Sequence, residues 1–159
     1  MTAISTGAAG RKGVLSAILA GGITAATCDF IAAMLIYGLS PERVGKAVAR
    51  GWFGKAARDG GADVVAIGVA SHYFILIVAA AIFVFASLRF PILRRMAWVT
   101  GPVFGICIYV VMHFVVLPLS AVHASGNPPG IQFVEEFLGH MFVIGLPIAL
   151  WARKFLGTT

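Results

Sequence analysis

The chain has 159 residues, 60% of them hydrophobic and 11% charged, with a mean hydropathy of +0.96. Ordinary soluble domains are ~45–50% apolar and ~25% charged, so a water-soluble globule is all but excluded. Disorder is excluded as well, because it needs low hydrophobicity and high charge. The net charge of +6 is no signal for nucleic acid, since the basic residues sit between apolar runs, where membrane proteins carry them for topology and headgroups.

Four spanning helices of ~20 residues would use about 80 residues, and the chain supplies them. The predicted spans are 14–38, 64–88, 97–119 and 133–152. They form one membrane domain over 14–152, between an N-terminal tail (1–13) and a C-terminal tail (153–159). Helices are expected because only a helix satisfies its own backbone in lipid without an open edge. Arg11 and Lys12 precede the first run without a small-residue cleavage site, so it reads as a retained span, not a signal peptide.

Between the first two spans, Ser40 is an expected N-cap, Pro41 suits the first helical position and Glu42 complements the helix dipole. Val44, Ala47, Val48, Trp52 and Ala56 then recur at helical spacing, while Arg43, Lys46, Arg50 and Arg58 take much of the other surface. The spacing predicts an amphipathic interfacial helix over 41–58, broken by Gly60 and Gly61. A basic turn, RFPILRR, follows the second span, and a Gly/Pro-rich loop, HASGNPPG, separates the last two. With both termini inside, the inner loops hold seven basic residues, Arg11, Lys12, Arg89, Arg94, Arg95, Arg153 and Lys154. The five outer ones all belong to the amphipathic segment. The expected fold class is therefore an all-α, four-transmembrane-helix bundle with both termini cytoplasmic and an amphipathic interfacial helix between spans 1 and 2.

Ionisable groups inside spans are costly and mark sites by default. Each span carries one: Asp29, His72, His113 and His140. Counted from each inner end they fall ~18–24 Å above the inner boundary, at one level in the outer half. Asp29 shares a stripe with Gly22, Ala25, Ala26, Ala32 and Ala33, and His113 continues Gly101, Gly105 and Tyr109. His72 lies four residues after Gly68, and Glu136 and His140 stand at i and i+4 on one face. Small residues mark close helix contacts, so all five face a bundle interior. Three readings compete for the cluster. The residues bond to one another and fix helix register. They bind a small ligand, proton or cation. Or they hold a metal or haem, for which the same cluster would supply the ligands.

Glu136 and His140 lack the i, i+3 offset of di-iron bundles. There is no H-E-x-x-H, Walker loop, G-x-S-x-G or Rossmann fingerprint. No enzyme is expected, since no nucleophile–base arrangement is visible. Cys28 and Cys107 read as small buried hydrophobes. His123 reads as a solvated loop residue, Pro118 and Pro147 as local kinks, Glu135 as directed to the outer interface. Trp98 and Trp151 suit the headgroup level at the inner ends.

The stretch SPERVGKAVARGWFGKAARDGGADVVAIGVASHYF carries Arg43, Val44, Ala49, Gly51, Gly54, a Gly60–Gly61 pair, and a helix with Gly68 and His72. A later stretch carries Tyr109, Met112, Phe114, Val115, Val116, Pro118, Leu119 and Ser120. Over 14–152 the pattern resembles a family of small uncharacterised bacterial four-span integral membrane proteins. The resemblance implies a bacterial cytoplasmic (inner) membrane location and carries over no catalytic residue or cofactor. The expected partners are the lipid bilayer and a second copy of the chain, through the small-residue stripes Gly22/Ala26 and Gly101/Gly105. On this reading the protein stays in the pellet after an alkaline carbonate wash of membranes and dissolves only in detergent; recovery in a detergent-free high-speed supernatant would refute it.

Overall fold

The apolar runs fold as helices, and a computed structural model describes residues 8–124, 126–127 and 129–158. The elements are α1 (Ala8–Tyr37), α2 (Pro41–Phe53), α3 (Ala62–Arg89), the single turn α4 (Ile92–Arg95), α5 (Ala97–Leu119) and α6 (Ile131–Leu156). No strand occurs among the described residues. Helices α1, α3, α5 and α6 are each long and apolar enough to cross a membrane. Their outward faces are rows of large apolar side chains: Leu15, Leu19, Ile23, Ile31 and Leu35 on α1, and Phe74, Val78, Ile82 and Phe85 on α3. Such a surface is costly in water and costs nothing in hydrocarbon.

The inward faces are small. Helix α1 packs on both α3 and α6, and α5 packs on α6. The backbones meet where a side chain is missing. A Cβ on Gly22 would lie 2.6 Å from Ile77 Cα, one on Gly105 2.1 Å from the His140 carbonyl oxygen, and one on Gly145 2.1 Å from that of Gly101. Dispersion at such close approach replaces the hydrophobic drive that water would supply. The stripes Gly22/Ala26 and Gly101/Gly105 therefore join this chain's own helices, α1 to α3 and α5 to α6, and do not face outward. Phe83, Val84, Ile144 and Ile148 fill the centre.

Helices α5 and α6 each widen once. Over Met112–Val116 and His140–Gly145 the ladder runs from residue i to i+5, with the Leu117 N–H donating to the Met112 carbonyl and the Leu146 N–H to that of Met141. Pro118 and Pro147 explain both places. A proline ring presses on the carbonyl four residues earlier, here Phe114 and Val143, each inside its wide turn. An extra residue per turn relieves that clash. The kinks expected at the prolines take this form.

Helix α2 begins as its sequence dictates. The Ser40 hydroxyl accepts from the Arg43 N–H at 3.4 Å, and Glu42 pairs with Lys46 at 2.8 Å. The Lys46 ammonium holds the Glu42 carboxyl below its usual range. The α-helical part is shorter than 41–58, because Gly54 adopts φ +57° and ends it, and Gly54–Arg58 continue as a 3-10 turn. The helical stretch as a whole ends at Arg58, and Gly60 and Gly61 lie outside it, before α3 begins. The packed face also differs from the apolar stripe: Val44, Gly45 and Ala49 are buried while Trp52 is 67% exposed. Backbone contact decides this, since a Cβ on Gly68 would lie 1.9 Å from the Gly45 carbonyl oxygen. The Ala121 N–H donates to the Gly51 carbonyl at 2.9 Å, so α2 runs from the start of α3 to the end of α5.

Cys28 and Cys107 are not buried; both are exposed free thiols. Cys28 shares the outward row of Ile31 and Leu35, and Cys107 that of Val103, Val110 and Val111.

Gly105→Ala should lose about 1–3 kcal/mol of stability, because backbone must move to admit the methyl group. The readout is a lower midpoint of thermal unfolding in mild detergent. Gly139→Ala, where a Cβ meets nothing within 4 Å, should leave the midpoint unchanged or raised.

Candidate functional site

The helix ends that meet in one half of the bundle are the last turns of α1 and α5 and the first turns of α3 and α6. Asp29, His72, His113, Glu136 and His140 all line a single cavity of about 810 Å³ there. The apolar stripe of α2 expected to face the interface (Val44, Ala47, Val48, Trp52) forms another wall of the same cavity.

Hydrogen bonds assign a role to each polar group. A carbonyl oxygen only accepts, so a ring nitrogen beside one carries the proton. His72 Nε2–H donates to the Ala26 carbonyl at 2.9 Å. His113 Nδ1–H donates to the Tyr109 carbonyl at 3.1 Å, and His140 Nδ1–H to the Glu136 carbonyl at 2.8 Å. The last two bonds reach one turn back, beside or within the wide turns of α5 and α6.

His113 Nε2 then meets Glu136 Oε2 at 2.9 Å, with one proton between them. Tyr37 O–H donates to the other oxygen, Glu136 Oε1. This chain of three side chains ties α1, α5 and α6 together, and it leaves neither oxygen of Glu136 without a partner. Tyr109 stacks on the His113 ring at 4.1 Å and donates its hydroxyl to Asn127 Oδ1 at 2.9 Å. His72 is flanked edge-on by Phe30 and Tyr73.

Asp29 differs. Its Oδ2 lies 3.8 Å from His72 Nε2, too far for a hydrogen bond, and that nitrogen is already committed to Ala26. The carboxylate is open to the cavity. His140, with its proton on Nδ1, turns a lone pair outward on Nε2.

Two lining residues, Tyr37 and Ser71, escape a reading of charge alone. Tyr37 lies eight residues after Asp29, on the same helical face, which is a signal the sequence does carry. Ser71 donates to the Ile67 carbonyl at 2.7 Å and accepts from the Trp52 indole N–H at 2.9 Å, fastening α2 to α3. Glu135, expected to face the outer interface, borders the cavity. His123 is exposed in its loop, with φ +51°.

Among the described residues no three His, Cys, Asp or Glu side chains gather closely enough to share an ion. His113 has both ring nitrogens engaged and presents no lone pair.

His113 and Glu136 should couple by about 0.5–3 kcal/mol in a double-mutant cycle of alanine variants read by unfolding in detergent. Tyr37→Phe should cost about 1 kcal/mol. Asp29→Asn breaks no hydrogen bond within the chain and should change stability by less than any of these. Additive losses at His113 and Glu136 would show that the pair is not a unit.

No family model matches the chain, and no curated protein or solved structure matches it, so the site is read from its own geometry.

Proposed function

We propose that this is a non-enzymatic, multi-pass protein of the bacterial cytoplasmic membrane that binds a small ligand in the cavity at Asp29, His72, His113, Glu136 and His140. The carrying observation is the cavity itself. Its volume falls in the ~300–1,000 Å³ range of small-molecule sites, and it joins apolar walls to a few convergent polar groups, as such sites do. In this reading both termini are cytoplasmic, the cavity lies in the outer leaflet, and α2 sits at the outer interface with its basic face toward headgroups. The Lys/Arg distribution supports that orientation.

A scaffold role has support at one end of the cluster. Tyr37, Glu136 and His113 satisfy one another and account for themselves structurally. Asp29 is different, since an intramembrane carboxylate open to a cavity does nothing for helix register that alanine would not do at lower cost.

A thermal-shift screen of small anionic, neutral and cationic amphiphiles on the detergent-solubilised protein tests the reading. At least one class should raise the unfolding midpoint, the added stability being about 2.7 kcal/mol at a hundredfold excess over Kd. Ala33→Trp, which puts an indole into the cavity, should weaken the effect. If no class shifts the wild type more than Ala33→Trp, the cavity is not a binding site.

A further inference from the structure

The chain's own hydrogen bonds leave the cavity with one kind of opening. The donors at its wall are spent: Tyr37 O–H on Glu136, Trp52 N–H on Ser71, Ser71 O–H on Ile67, and the proton-bearing nitrogens of His72 and His140 on backbone carbonyls. What remains are acceptors, among them the Asp29 carboxylate, the Glu135 carboxyl and the lone pairs of His72 Nδ1 and His140 Nε2. Three carboxyl side chains, Asp29, Glu135 and Glu136, border the cavity, and no Lys or Arg does so among the described residues.

We propose that the cavity takes a lipophilic ammonium, a single protonated amine on a hydrophobic body, with its N–H groups directed to Asp29 and His140. The proposal rests on the cavity being a binding site and names the class of its ligand. Acceptors on the wall of a largely apolar cavity are completed only by a donor, and a carboxylate removed from water is best matched by a cation. An anion would face three carboxyl groups and find no free donor. A neutral alcohol offers one donor and no charge. An inorganic ion would shed its water for too few ligands, since hard cations ask for about six oxygens. The apolar side chains Ile36, Val44, Val48 and Leu119 suit the body of the amine.

The test is equilibrium dialysis of the protein in phosphatidylcholine nanodiscs, with empty nanodiscs as background. The probes are 4-phenylbutylammonium, its isostere 4-phenylbutanol, and Zn²⁺ alone. Saturable binding of one amine per chain is expected, at least tenfold tighter than the alcohol. Asp29→Asn should weaken the amine at least tenfold, with an unfolding midpoint like the wild type's, and Asp29→Glu should restore much of the binding. Equal affinity for amine and alcohol overturns the proposal with the wild-type protein alone, whatever the variants do. So does unchanged amine binding in folded Asp29→Asn, or Asp29-dependent Zn²⁺ binding without amine binding. If the alcohol binds as well as the amine and Ala33→Trp weakens both, the cavity stands as a site and only the ammonium falls. If no probe binds and the amphiphile screen is also silent, the site reading itself fails.

Discussion

Within hydrocarbon a polar hydrogen finds its acceptor inside the chain or goes without. That constraint organises this protein more than any single contact. Three imidazoles sit in the spanning helices, and each gives a proton to a backbone carbonyl: His72 to Ala26, His113 to Tyr109, His140 to Glu136. Each bond does two things. It holds the ring at one angle, and it decides which nitrogen is left as acceptor. The chemistry facing the cavity is thus set by the main chain.

Prolines and glycines supply the room for this. Pro118 and Pro147 impose wide turns on α5 and α6, and His113 and His140 stand within or at the start of those turns. Glycines let α5 and α6, and α1 and α3, touch through their backbones, so the rings project from helices whose separation is fixed. The polar groups then fall into two sets. One, through Tyr37, Glu136 and His113, is closed on itself and joins three helices. The other, Asp29 with the free face of His140, is unfinished.

Much of this was legible in the residues. Apolar runs announce the four long helices, because length and hydropathy are local properties. Ser40, Pro41 and Glu42 announce the start of α2 for the same reason. Helical spacing alone places Asp29, Glu136 and His140 on inward faces. The rest depends on partners far along the chain. Gly54 ends α2 where that helix meets Ala121, and no periodicity contains that meeting. The packed face of α2 is chosen by glycine against glycine, Gly45 on Gly68, a contact that hydrophobicity does not weigh. Cys28 and Cys107 read as interior because they are small and apolar, but in a chain whose solvent is lipid that preference no longer separates inside from outside. The difference between Glu136 and Asp29 was invisible too, since both are carboxylates on inward faces, and only distances tell which one is spoken for.

The contact between Gly105 and the His140 carbonyl makes one helix a gauge for the other. The absent side chain at Gly105 sets how far α6 stands from α5, and therefore how deep the His140 ring reaches into the opening. A Gly105→Ala or Gly105→Ser variant would hold α6 further from α5, with a differently sized chamber. The dimension of the chamber is thus encoded in a helix contact, at a residue that does not border the space it governs.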